Sequence, residues 1–196
     1  MNNNFIKIIP WIREKNHWSE EVGVNKRIQI KGTNNQVIIS NDAIFHNLQI
    51  IIHGNNNKLV IANKCLVSGF IEMFGSGNEI TIGQGTGILG VGLTAHAGKY
   101  IKIGEKCLIA RGTDIRTTDS HPIWDEDGKR INPDDSIEIG DRVWIAPETK
   151  ILKGTIIGND VVIGTRSLLN KSIIPSNTLA AGSPAKVVRE NITWSV

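Results

Sequence analysis

The sequence is poor in aromatic residues, cysteine, net charge and long apolar runs. Aromatic residues make up 5% of its 196 residues, and a net charge of +3 is too weak to indicate a nucleic-acid partner. No stretch approaches the roughly 20 apolar residues of a membrane helix, and the first residues lack the apolar core of a signal peptide. We therefore expect a cytoplasmic protein without a membrane segment. Its two cysteines, Cys65 and Cys107, lie inside repeats and are expected to be buried, reduced thiols.

The last third of the chain carries a six-residue repeat of aliphatic residues. They are Ile139, Ile145, Ile151, Ile157, Ile163 and Leu169, and the residue after each is usually small. A second series, four positions further on, is small or β-branched: Val143, Thr149, Thr155, Val161, Ser167 and Ile173. This period is neither that of a helix nor that of an alternating strand. It is typical of a parallel β-helix, in which three six-residue steps make one triangular coil. The period does not give the handedness, although the general rule for parallel crossovers favours a right-handed one.

Longer repeats begin near residue 28 and set the predicted domain boundaries. Residues 57–63 and 78–84 align without gaps, 21 residues apart, as expected for coils of roughly 18 to 22 residues. We predict one all-β domain over residues 28–196, with a core of stacked Ile, Leu and Val. Residues 1–27 carry no repeat and are predicted to be an N-terminal extension. The apolar residues that could form one face of a short helix there are Phe5, Ile8, Ile9 and Ile12.

A polar insertion at residues 117–135 interrupts the repeat and contains one histidine, His121. A loop that projects from a rigid scaffold is where functional residues tend to lie. An imidazole near neutral pH can take the proton of a sugar hydroxyl as that hydroxyl attacks an acyl group. His121 is therefore the candidate catalytic base, and the alternative is a solvated loop histidine.

Two segments resemble a known family. One is Asp119-Ser120-His121-Pro122, and the other runs from residues 140–146 through residues 182–189. Together they resemble the hexapeptide-repeat acyltransferases, and most closely the bacterial capsular polysaccharide O-acetyltransferases, including those that act on polysialic acid. The resemblance implies a left-handed parallel β-helix with a protruding loop and a homotrimer. It also implies that coenzyme A binds between adjacent subunits.

The resemblance adds roles for residues near His121 and near the last coils. Trp144 lies within the repeat, directly before the inward Ile145, so its indole should point outward. It is expected to line the coenzyme channel and to donate its N–H to the thioester carbonyl, and the alternative is an aromatic residue buried at the trimer interface. Asp119 could orient the imidazole or could be a turn residue.

The coenzyme site is expected to contain both small and basic residues. Gly164 and Thr165 lie where the family lets the pantetheine arm approach the backbone. Ala146 is expected in the same coenzyme site, and the Ala146 or Gly164 amide is a second candidate oxyanion donor. Lys171, Lys186 and Arg189 are predicted to form a basic cluster for the phosphates of coenzyme A. We expect no metal site, because the histidines lack the spacing of a zinc ligand set.

These residues predict an acetyl-CoA-dependent O-acetyltransferase that modifies a sugar hydroxyl of a bacterial surface glycan by direct transfer. The glycan is expected to be a capsular polysaccharide, and the resemblance makes sialic acid the candidate sugar. One alternative is an N-acetyltransferase of an amino sugar or nucleotide sugar. A second alternative is a non-catalytic β-helix scaffold, which would bind no coenzyme A.

Overall fold

The computed structural model describes residues 5–8 and 28–195, and within them every regular element is a β-strand. In chain order the strands are β1 (Phe5–Ile8), β2 (Ile28–Lys31), β3 (Gln36–Ile39), β4 (Ile44–His53), β5 (Lys58–Ile61), β6 (Leu66–Phe74), β7 (Glu79–Ile82), β8 (Gly87–His96), β9 (Tyr100–Ile103), β10 (Leu108–Ile109), β11 (Asp114–Arg116), β12 (Ile137–Ile139), β13 (Trp144–Ile145), β14 (Lys150–Leu152), β15 (Ile156–Ile157), β16 (Val162–Ile163), β17 (Leu168–Leu169), β18 (Ile173–Ile174), β19 (Thr178–Gly182) and β20 (Ala185–Glu190). Nothing helical in this part of the chain has the length and apolarity needed to cross a membrane.

The strands stack into a parallel β-helix with three faces and about seven coils, as the period predicts. Face A contains β1, β3, β5, β7, β9, β12, β15 and β18. Strands β4, β6 and β8 each begin on face B and continue round a corner onto face C, with a register shift at the corner in β4 and β6. Strands β10, β13, β16 and β19 complete face B, and β2, β11, β14 and β17 complete face C. Among the named strands of the described residues, β20 alone pairs antiparallel, along β19 at the end of face B.

The predicted aliphatic column is confirmed, because all six members of the first series are at most 3% exposed. Each stacks on its counterpart one coil away, as Ile145 does on Ile109 and Ile163. Burying one such side chain contributes about 1.5–3 kcal/mol. The second series is buried except for Ile173, which is 75% exposed. The last coil is one residue shorter here, so Ile173 pairs with the exposed Ile156, whereas Ile174 pairs with the buried Ile157 and continues the first series.

The small residues of the repeat are explained by the close approach of the coils. Gly140 follows the inward Ile139, and a Cβ added to it would lie 2.8 Å from the carbonyl carbon of Gly158 in the next coil. Contacts that close do not occur between real side chains and backbone, so a larger residue would push the coils apart.

The N-terminal residues differ from the sequence prediction at one point. Phe5 and Ile8 belong to β1, which pairs parallel with β3, so the helix expected for them is wrong. Ile9 and Ile12 lie outside the described residues. The boundary between an extension and the β-helix at residue 28 remains a prediction.

Candidate functional site

The insertion at residues 117–135 leaves the β-helix at the corner between faces C and A, after β11 and before β12. We call this corner the loop edge. The outer part of the insertion is a tight hairpin closed by a bridge between Trp124 and Arg130. The Asp125 carboxylate caps its turn by accepting the backbone N–H groups of Asp127 at 3.1 Å and Lys129 at 2.8 Å. The insertion is therefore an ordered hairpin rather than an extended loop.

His121 stands near the base of this hairpin with its side chain exposed. Its backbone N–H donates to the Asp119 carbonyl at 2.8 Å, and Ser120 between them takes the left-handed conformation with φ of 66°. The His121 carbonyl accepts a hydrogen bond from Asn132 Nδ2 at 2.8 Å. No hydrogen bond to the imidazole occurs within residues 28–195. The backbone is fixed while the ring remains available to a substrate hydroxyl.

Two buried residues that the sequence reasoning missed hold this segment. Asn132 donates through Nδ2 to Asp119 Oδ2 at 2.9 Å, and its Oδ1 accepts the Ile123 N–H at 2.6 Å. Lys153 donates through Nζ to Asp119 Oδ2 at 2.5 Å and to the Asn132 carbonyl at 2.9 Å. The six-residue repeat gave no signal for Lys153, because the residue two places after an inward aliphatic is also polar in neighbouring repeats, as at Asn159 and Thr165.

The Asp119 carboxylate is thus engaged by Lys153 and Asn132, and no hydrogen bond to the His121 ring is found in the described part of the chain. Its effect on His121 runs through Asn132 and the backbone. The hydrogen bond from the Lys153 ammonium lowers the pKa of Asp119, against the opposing effect of partial burial. Direct orientation of the imidazole by Asp119 remains a prediction that this geometry does not support.

The lowered pKa of Asp119 predicts how its contribution to stability depends on pH. A carboxyl group with a depressed folded-state pKa stabilises the fold above its ordinary pKa of about 3.9, and this stabilisation is lost as the pH falls through the folded value. The difference in unfolding free energy between wild type and Asp119→Asn should therefore be constant from about pH 5 to 8 and shrink in acid. It should be small, because the side chain is 37% exposed and solvent screens it. Denaturant titrations across this range would measure it, and a difference that grows in acid would contradict the assignment.

A second anchor lies at the other end of the insertion. Asp134, whose side chain is 3% exposed, pairs with Arg130 at 3.2 Å and with Nδ1 of His96 at 3.4 Å. Burial alone would raise the pKa of Asp134, but its hydrogen bonds with Thr118 and His96 and the charge of Arg130 outweigh burial and lower it. Both ends of the hairpin are therefore tied to the β-helix by charged hydrogen bonds.

Trp144 lies on face B, in β13, with its side chain directed outward as predicted. It is 39% exposed, whereas its neighbour Ile145 is fully buried. Its ring centroid is 6.1 Å from that of Trp194 in the C-terminal tail. Trp194 is itself held by a hydrogen bond from Nε1 to the Arg142 carbonyl at 2.7 Å. The tail thus folds back to support one side of the Trp144 indole.

The small residues predicted for the coenzyme site lie beside Trp144 at the end of face B. The Ala146 N–H donates to the Ile163 carbonyl at 2.9 Å and the Gly164 N–H to the Ala180 carbonyl at 2.8 Å. Neither amide is therefore free to act as an oxyanion donor. The exposed Thr165 differs, since its backbone N–H has no acceptor among residues 28–195. An exposed, unpaired amide fits the approach of a polar chain such as pantetheine.

The three predicted basic residues do not form one cluster within a single chain. Lys186 and Arg189 lie on β20, opposite Ala181 and Leu179 of face B. Lys171 follows β17 at the loop edge, where its N–H donates to the Lys153 carbonyl at 3.0 Å. The sequence placed them together because all three are close in number to the last coil. In a triangular coil such residues can lie on opposite sides.

His121 and Trp144 are separated in the same way. The loop edge joins faces C and A, whereas Trp144 lies on face B, which is the side of the triangle opposite that edge. One chain therefore presents the two predicted catalytic side chains on different sides of the β-helix.

The cysteines are buried, as predicted, and neither is placed for nucleophilic catalysis. Cys65 is 1% exposed and Cys107 is 3% exposed. Burial raises the pKa of Cys65 and that of Cys107, the latter to about 11, so little reactive thiolate forms near neutral pH. Within residues 28–195 no group of three His, Cys, Asp or Glu side chains could hold a metal ion.

Comparisons with known proteins agree with this architecture. The model of the bacterial transferase hexapeptide family (six repeats) matches residues 136–171. The polysialic acid O-acetyltransferase of Escherichia coli O1:K1 / APEC is 37% identical over 121 residues, a match that spans 61% of this chain and 39% of that protein. The polysialic acid O-acetyltransferase of Neisseria meningitidis is 37% identical over 190 residues, covering 84% of this chain and 87% of that protein. The chain belongs to the hexapeptide-repeat O-acetyltransferases.

A solved structure also supports membership of the hexapeptide-repeat O-acetyltransferases. The crystal structure of the polysialic acid-specific acetyltransferase NeuO matches with a TM-score of 0.83 and 35% identity, over 86% of this chain and 72% of that one. The left-handed β-helix implied by the sequence resemblance is confirmed, and the right-handed coil favoured by the general rule is wrong. Acetyltransferases of this family imply an acyl-CoA donor.

Proposed function

We propose that this chain transfers an acetyl group from acetyl-CoA to a hydroxyl of a capsular polysaccharide that contains sialic acid. The structural observation that carries the proposal is the exposed His121 ring on a backbone segment fixed by Asn132 and Lys153. A base for alcohol activation needs this combination of a free ring nitrogen and a defined position. Two relatives named as polysialic acid O-acetyltransferases supply the choice of acceptor. Since acetyl-CoA is a cytoplasmic metabolite, we place the reaction in the cytoplasm.

In the proposed mechanism His121 takes the proton of the sugar hydroxyl as its oxygen attacks the thioester carbonyl. Trp144 Nε1, or the unpaired Thr165 amide, donates a hydrogen bond to the oxyanion that develops. The C–S bond then breaks, and the imidazolium of His121 returns its proton to the departing thiolate. The products are an acetyl ester and coenzyme A, with no acyl-enzyme intermediate.

The site is proposed to form between subunits of a homotrimer. His121 at the loop edge of one protomer and Trp144 on face B of its neighbour would then border one cleft. Lys186 and Arg189 on β20 extend the same face and are proposed to pair with the phosphates of coenzyme A, while Lys171 would reach them from the loop edge of the other protomer. The separation of the loop edge and face B within one chain supports this arrangement.

The proposal is tested by incubating the purified chain with acetyl-CoA and defined glycans, namely polysialic acid, a neutral polysaccharide and free sialic acid. We expect release of coenzyme A and an acetyl group on polysialic acid by mass spectrometry. The added acetyl group should be removed by mild base, because an ester hydrolyses under conditions that an amide resists. A base-resistant product would indicate N-acetylation instead, and the absence of any coenzyme A binding would favour a non-catalytic scaffold.

A further inference from the structure

Lys153 occupies a position on the inner side of face C that other coils fill with uncharged residues. Met73 pairs with Ala95 on β6 and β8, and the register of β11 with β8 and β14 brings Thr117 and then Lys153 into the same column. The Lys153 residue is 3% exposed. A buried ammonium is costly unless it is paired and hydrogen-bonded, so its retention at this position needs a local explanation.

The partners of the Lys153 ammonium all belong to the insertion that carries His121. Nζ donates to the Asp119 carboxylate and to the Asn132 carbonyl, which come from the two opposite sides of the hairpin. The ammonium group therefore ties both sides of the hairpin to the β-helix at one point. An apolar side chain in this position could make neither hydrogen bond.

Asn132 carries this restraint to the catalytic segment. Its Nδ2 donates to both the Asp119 carboxylate and the His121 carbonyl, and its Oδ1 accepts the Ile123 N–H. The Asn132 side chain therefore holds the His121-Pro122-Ile123 backbone at both ends, at the His121 carbonyl and at the Ile123 N–H. A change at the Lys153 ammonium would thus reach the imidazole through two successive hydrogen-bonded groups.

We propose that Lys153 is a positioning residue for His121, acting with Asp119 through Asn132 to fix the imidazole relative to the acceptor hydroxyl. This inference rests on the proposed function for its kinetic consequence. Lys153 does not touch the substrate and takes no proton in the reaction. Its role is to supply a rigid anchor on the β-helix to a hairpin that otherwise projects into solvent.

The test is a double-mutant cycle of Lys153→Met and Asp119→Asn. Methionine fits this column, as Met73 shows, and the Asp119 carboxylate left behind is 37% exposed and can be solvated. We expect each single substitution to lower kcat by up to about 100-fold, the loss caused by an error of about 1 Å in placing a catalytic group. The double variant should lose no more than the worse single variant, because both act through one contact. KM for acetyl-CoA should stay unchanged. Most of the proposed donor residues lie on face B, and Lys171 at the loop edge bonds to the Lys153 backbone carbonyl, which Lys153→Met retains.

Lys150→Met is the matched control. Lys150 lies on β14, the strand that ends just before Lys153, but its side chain is 50% exposed. Its Nζ forms a loose ion pair with Asp114 Oδ2 at 3.7 Å, away from the insertion. It should retain wild-type kcat. A folded Lys153→Met with wild-type kcat would overturn the proposal. The proposal would also be overturned if the kcat losses of the two single variants added in the double variant and followed the fall in melting temperature. That result would indicate a purely structural role for Lys153.

Hydrogen exchange separates failure of this inference from failure of the proposed function. If wild type transfers no acetyl group to any glycan, the proposed function fails, but the anchoring by Lys153 can still be measured. Amide exchange in residues 117–135 should then be faster in Lys153→Met than in wild type or Lys150→Met. Equal exchange in the three proteins would remove the inference independently of activity.

Discussion

Replacing His121 with alanine is expected to lower kcat for acetyl transfer by about 10²- to 10⁴-fold, the contribution of a positioned general base. The side chain is exposed and its ring makes no hydrogen bond within residues 28–195, so the substitution removes no packing. The hairpin backbone should persist, because the bonds that Asn132 makes to it involve the His121 carbonyl rather than the imidazole. The melting temperature and KM for acetyl-CoA should both remain close to wild type.

The matched control for His121→Ala is His46→Ala. His46 is exposed on β4, which is separated from the insertion by the coils of β6 and β8, so it offers the same chemical change away from the proposed site. It should retain full activity in steady-state assays with acetyl-CoA and polysialic acid. Near wild-type turnover of a folded His121→Ala protein would exclude His121 as the base and leave the hydroxyl to be activated by another group.

Co-expression of His121→Ala and Trp144→Ala chains is expected to restore activity that neither variant has alone. Removal of one oxyanion donor typically costs about 10²- to 10³-fold in kcat, so both parent proteins should be nearly inactive. If each site takes His121 from one protomer and Trp144 from the next, about one site in four is intact in randomly mixed trimers. Trimers isolated through two different affinity tags contain both kinds of chain and so have one intact site of three, and they should therefore show roughly a third of wild-type kcat.

The control for this experiment is co-expression of His121→Ala with a chain that carries both substitutions. No site in these trimers can combine the two side chains, so no activity should return. Absence of complementation in the first mixture, with trimers present, would mean that one chain supplies both groups or that Trp144 lies outside the site. Monomers in solution would contradict the shared site directly.

The repeat positions were predictable because each depends on local spacing alone. An inward aliphatic at every sixth residue defines its own strand, and Ile139 to Leu169 are buried as that rule requires. The rule failed after Leu169, where the next inward residue is Ile174 rather than the sixth residue, Pro175, because the last coil is one residue shorter. It also failed for Phe5 and Ile8, because their four-residue segment is too short for its apolar pattern to distinguish a helix from a strand. Pairing with β3 decided that segment.

The candidate site was predictable in its residue types but not in its connections. His121 was recognisable from its motif, and Trp144 was correctly expected to face outward beside Ile145. The sequence could not show that the Asp119 carboxylate binds Lys153 rather than the neighbouring imidazole, since Lys153 is 34 residues away along the chain. Nor could it show that Lys171 lies at the loop edge while Lys186 lies on face B.

By itself the sequence determined the coiled architecture, the place of the insertion and the motif that carries His121, because these follow from spacing and residue type. Only the tertiary structure decided which distant residues meet: Lys153 with Asp119 and Asn132, and Trp194 with Trp144. It also placed His121 and Trp144 on different sides of one chain. The physical reason is that the backbone period fixes each residue's height along the β-helix and its face, whereas contacts made by a projecting hairpin or a returning tail depend on how these segments fold back in space.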